Sequence, residues 1–162
     1  MEEITQQNLE KIKERSLKLF WKNKVISNPA FWEIKITPEW FNHIEWKSKN
    51  HKRSIKEAYM RYLCFLHICY ILENSKLYQE FREEFQIFEI KRNNKLLKEK
   101  KIVCLYGFVA VVNNNKNRVK IVIRKVDWRN KYEFVSVIPV WKSTWYAWEL
   151  FFEEDLRFLE EN

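Results

Sequence analysis

KIVCLYGFVAVVNNNKNRVKIVIRKVDWRNKYEFVSVIPVW, residues 101–141, holds three β-rich runs separated by two short polar segments. The runs 101–112, 118–126 and 132–141 concentrate Val, Ile, Phe and Tyr, which pack well on a pleated surface. NNNKN and DWRNK are too short to carry a crossover, so the runs are predicted to pair antiparallel as a meander. In the middle run Val119, Ile121 and Ile123 fall on one face. Lys120, Val122, Arg124 and Val126 fall on the other.

Outward from the meander the periodicity becomes helical. Ile4, Leu9, Ile12, Leu19 and Phe20 are spaced for an amphipathic helix over 4–21, with Thr5 as its cap. VISNPAFWEIKITPEW breaks at Asn28-Pro29 and then alternates briefly, as a short strand does. Thr37-Pro38 reads as an N-cap with a first-turn proline, so a helix is expected there, burying Trp40, Phe41 and Ile44. Ser54 caps a second helix over about 55–72 with a wide apolar stripe. Residues 76–99 read as opening helical and turning to strand near Phe85, with Asn93-Asn94 as a turn. Trp145, Trp148, Phe152, Leu156 and Leu159 resume helical spacing in the tail. The expected fold is α+β: N-terminal helices on an antiparallel sheet of about four to five strands, with a closing C-terminal helix. One domain is expected over 1–162, with a helical extension at 1–27, a core at 31–141 and the closing helix at 143–162.

Composition narrows the function classes. The 162 residues are 46% hydrophobic and 17% aromatic, with one glycine, which excludes a disordered chain or a linker array. The longest apolar stretch, YMRYLCFLHICYIL, carries Arg61 and His67 and falls short of the ~18 residues of a membrane span. A cytoplasmic protein without a membrane role is expected. Cys64, Cys69 and Cys104 form no CxxC pair and read as reduced thiols. The formal charge of +8 suits a polyanionic partner such as nucleic acid.

Three histidines with no HxH or HExxH pattern do not make a zinc site, and a lone Gly107 rules out glycine-rich phosphate loops. Neither a metal nor a cofactor is expected. Metal-independent RNA cleavage remains, because the RNA supplies its own 2′-hydroxyl nucleophile. The protein need contribute only a proton acceptor, a proton donor and cations for the phosphorane. The candidates are His43 or His51 as general acid/base, Lys47, Lys49 and Arg124 to stabilise the phosphorane, and Ser136 to orient a phosphate oxygen. Trp46, Lys47, Lys49, Lys52, Arg53 and Trp141 would contact RNA. The same residues admit plainer roles. His43 can be a boundary histidine, the lysines a solvated helix end, and Ser136 a small residue that lets a neighbour pack. Arg124 can pair with Glu133 across the hairpin.

ITPEWFNHIEWKSKNH, followed by a long helix and then by RVKIVIRKVDWRNKYEFVSVIPVWK, resembles the barnase–EndoU–colicin–RelE (BECR) superfamily, in particular its phage- and small-bacterium-type nuclease-like members. The matching positions are Thr37, Pro38, His43, Lys49 or His51, Arg124, Phe134, Ser136, Val137 and Ile138. The resemblance implies helices on a four- or five-stranded antiparallel sheet and RNA cleavage, often in a toxin or conflict role with an antitoxin partner. Non-catalytic nucleic-acid-binding and protein-interaction modules on the same fold are the alternatives.

Overall fold

The computed structural model describes residues 4–48, 50–112, 117–127 and 131–140. Helix α1, Gln6–Lys22, starts at Thr5, whose side chain accepts from Asn8 N. Leu9, Ile12, Ser16 and Phe20 form its buried face. Strands β1, Val25–Asn28, and β2, Trp32–Lys35, form a hairpin. Buried Asn28 fixes that turn: its carbonyl oxygen accepts from Ala30 N and Phe31 N, and its amide donates to Leu72 O and Ser75 O. The short helix α2, Trp40–Glu45, leads into a ribbon of β3, Trp46–Ser48, and β4, His51–Lys52. Ser54 and Glu57 then form a reciprocal capping box on α3, Ile55–Phe65. The helix expected to continue to residue 72 breaks at Leu66-His67, and α4 occupies Ile68–Asn74.

The second half is sheet: β5, Glu80–Arg92; β6, Lys95–Val112; β7, Asn117–Val126; and β8, Tyr132–Val140. β6, β7 and β8 pair antiparallel in the expected meander. The strand order is β1-β2-β8-β7-β6-β5, six strands in one sheet beside the separate β3-β4 ribbon.

This corrects the expected antiparallel sheet of four to five strands. The β1–β2 hairpin joins the sheet through β2, which runs parallel to β8 at Ile34↔Tyr132 and Lys35↔Glu133. Pairing between residues so far apart in the chain leaves no local sequence mark. Residues 80–84, expected to be helical, are strand because each pairs with β6, and the strand expected from near Phe85 continues to Arg92. The closing helix expected at 143–162 lies outside the described residues.

The sheet has two buried faces. On one, Val119, Ile121, Ile123, Phe134 and Val137 pack with α1, α2, α3 and α4 around Trp40, which stacks on Phe65 at 3.6 Å between ring centroids. On the other, Val103, Leu105, Val122, Val135 and Ile138 form a second cluster, against which Phe88 and Val126 pack. A bulge at Val135, with Val122 opposite Ser136 and Ile123 opposite Phe134, re-aims the middle of β8. Among the described residues no helix is long and apolar enough to cross a membrane.

Candidate nucleic-acid interface

The residues singled out from sequence fall into separate places. His43, on α2, is 4% exposed beside core residues Trp40 and Ile44, and its carbonyl accepts from Arg53 Nε at 3.3 Å. Arg53 is itself buried. His51 is exposed on the β3–β4 ribbon. Trp46 lies beside it in the same ribbon, with Lys52 Nζ 5.9 Å from the indole centroid. Lys47 pairs with Glu57 at 3.2 Å. Lys49 and Trp141 lie outside the described residues.

Arg124 directs Nε and Nη2 onto one oxygen, Glu133 Oε2, each at 3.1 Å, across the in-register pair Arg124↔Glu133. Ser136 is 2% exposed and its hydroxyl accepts from Arg61 Nη1 at 3.2 Å. Arg61, also buried, reaches the side of β8 beyond its short pairing with β2, where Val137 O lies 3.5 Å from the same nitrogen.

By strand alternation Arg124 shares the face of Val122, whereas α2 packs on the face of Ile121 and Ile123. The sheet therefore separates His43 from Arg124, and these two do not share a cleft.

Several ionisable groups nearby are tuned for structure. Burial acts to raise the Glu45 carboxyl, but hydrogen bonds from Lys13 and Tyr62 and the charges of Lys13 and Lys52 outweigh it and hold the group below its usual range. Burial first, then the bond to Glu45, pushes the Tyr62 hydroxyl well up. Burial also raises all three thiols, Cys64 to about 12, which keeps them protonated and poorly nucleophilic. Among the described residues no three His, Cys, Asp or Glu side chains gather as a metal-binding group.

A different element concentrates exposed charge. β7 pairs with β6 only from Val103 onward, so Gln86↔Lys101 to Arg92↔Lys95 form a two-stranded arm. Seven residue pairs at ~3.4 Å give it a reach of about 20 Å. Its turn is Asn93-Asn94, at φ 50° and 60°, a two-residue connection that asparagine accommodates. Lys91, Arg92, Lys95, Lys98 and Lys100 are exposed there, with Lys101 half-buried at the root, against Glu89 and Glu99.

Apolar residues are interleaved with these cations. At the root of the arm Phe85 is 62% exposed, with Lys100 Nζ 4.4 Å from its ring centroid. Ile87 and Leu96, exposed on the same face by register, continue the strip toward the tip. Phe81 begins it further down β5, ringed by Tyr78 and Tyr106. Aromatic faces alternating with ammonium groups offer stacking platforms for bases and countercharge for phosphates.

Sequence reasoning read a strand from near Phe85 and a turn at Asn93-Asn94, but not the return strand over 95–101, because KLLKEKK has no strand signature of its own, and it gave the element no role. The readable signal was the Asn-Asn turn inside a lysine-rich run. Comparisons of the chain with protein-family models, characterised proteins and solved structures return no match.

Proposed function

We propose that this protein is a nucleic-acid-binding module that holds single-stranded RNA on the β5–β6 arm without cutting it. The observation that carries the reading is the arm itself: five exposed cations and exposed apolar side chains on a ribbon that no third strand covers among the described residues. A single strand suits it better than a duplex, because Phe81 and Phe85 present ring faces that unpaired bases can stack on. The resemblance of residues 31–141 to BECR proteins makes RNA the strand to test first.

Cleavage is the weaker reading. It asks a histidine, Arg124 and Ser136 to meet one phosphate, yet His43 and Arg124 lie across the sheet from each other and Ser136 is engaged by Arg61. Incubation of the protein with a labelled single-stranded RNA in EDTA, followed by native and denaturing gels, separates the readings. Retarded, intact RNA is expected. Unretarded RNA contradicts binding, and RNA shortened to 2′,3′-cyclic ends favours the ribonuclease.

A further inference from the structure

At the root of the arm, on the face opposite Phe85, a cavity of about 350 Å³ opens between β5, β6 and the facing ends of β7 and β8. Phe88, Ile90 and Val126 give it an apolar wall; Lys101, Arg124 and Lys131 give it cations. This size falls at the lower end of the ~300–1,000 Å³ range of small-molecule sites.

Two features of the lining are specific. Phe88 is half-buried and braced against the second core cluster, so its ring is held in place. One of the cations is unpaired and another keeps a donor. Lys131 has no ion-pair partner among the described residues, and Arg124, with Nε and Nη2 on Glu133, keeps Nη1 for another acceptor. Lys101 is shared between Asp127 at 3.5 Å and Glu99 at 3.8 Å, both long contacts, and lies 5.9 Å from the Phe88 ring centroid.

A braced ring that lines the same cavity as a guanidinium with a spare donor and an unpaired ammonium matches a ligand with a planar part and an anionic part. Glu89 and Glu133, also in the lining, can accept from amino groups on the planar part. We infer that this cavity takes one nucleotide, its base against Phe88 and Ile90 and its phosphate between Lys131 and Arg124. That nucleotide comes either from solution or from a strand held on the arm. Only the second source rests on the RNA-binding reading.

The test is calorimetric titration of the full chain with AMP and UMP, with uridine and ribose 5-phosphate as half-ligands, beside binding of a labelled oligouridine. Lys131→Gln changes an exposed side chain and leaves the core intact; Phe88→Ala removes the ring, and circular dichroism confirms that it folds. Saturable mononucleotide binding, about fivefold or more weaker in either variant and weaker still for both half-ligands, is expected if the ligand comes from solution.

Oligouridine binding weakened by Lys131→Gln, with no mononucleotide binding, places the nucleotide within a strand and also upholds the inference. Mononucleotide binding without oligouridine binding upholds the cavity and defeats the arm. Ribose 5-phosphate binding as well as AMP would reduce the site to an anion site and overturn the inference. So would oligouridine binding unchanged in both variants with no mononucleotide bound.

Discussion

Lys120 Nζ lies 2.5 Å from Glu80 Oε2, and the backbone between them is that of Gly107, the single glycine of the chain. Glu80 is paired with Gly107 and Lys120 with Val109, so the ion pair runs diagonally over β6 where a side chain would otherwise stand. Lys120 is almost fully buried, and a lysine so placed requires a charge partner.

A methyl group at position 107 would meet Glu80 Cβ and Oε2 at 3.1 Å and Lys120 Cε at 3.3 Å. Gly107→Ala is therefore expected to destabilise the fold by about 1–3 kcal/mol, despite the higher strand propensity of alanine. Urea unfolding monitored by tryptophan fluorescence reads this directly. A midpoint unchanged or raised would show that the pair can move aside.

Legibility in the sequence divides along the distance over which each interaction acts. The meander was readable because Val119, Ile121 and Ile123 alternate with Lys120, Val122 and Arg124, and because its connections are too short for any other topology. Thr5 and Ser54 were readable as caps because capping is decided within three residues. The partners of Arg61 and Ser136 were not, since 75 positions separate them and neither carries a local pattern. Only the start of β5, residues 80–84, was obscured, and for a different reason: its Glu and Arg positions fit a helix as well as a strand until β6 is laid beside it.

Among the candidate site residues, the Arg124–Glu133 pair was available from cross-strand register, whereas the burial of His43 depended on where α2 docks.

Glu45 links three parts of the fold, accepting from Lys13 on α1 at 2.5 Å and from Tyr62 on α3 at 2.8 Å. Its folded pKa lies below the unfolded value, so its contribution is present at neutral pH. That contribution is lost as pH falls from the ordinary glutamate value, about 4.3, through the lower folded one. Urea midpoints measured at neutral pH and across this acid window are expected to fall on acidification in the wild type. Glu45→Gln should start lower at neutral pH and fall less steeply. Parallel acid limbs for the two proteins would show that Glu45 does not contribute to the acid sensitivity.

Phe85 is exposed at the root of the arm under Lys100, so its ring adds little to folding. Phe85→Ala is expected to shift stability by less than about 0.5 kcal/mol. It should weaken single-stranded RNA binding by ~1–3 kcal/mol, the scale of one base stacked on an aromatic face. Filter binding with a uridine-rich oligonucleotide distinguishes the two effects. Loss of stability with binding intact would assign Phe85 to packing.

The arm's role is tested most directly by fluorescence anisotropy of a labelled single-stranded RNA across a salt series. Wild type is compared with a variant carrying Lys91→Gln, Arg92→Gln, Lys95→Gln and Lys98→Gln. These four side chains are exposed near the Asn93-Asn94 turn, so their replacement leaves both core clusters intact. The logarithm of the wild-type binding constant is expected to fall linearly with the logarithm of salt. The variant should bind at least about tenfold more weakly at low salt, its slope shallower by about 0.7 for each phosphate no longer neutralised. Equal affinities and equal slopes would contradict the assignment of RNA binding to the arm.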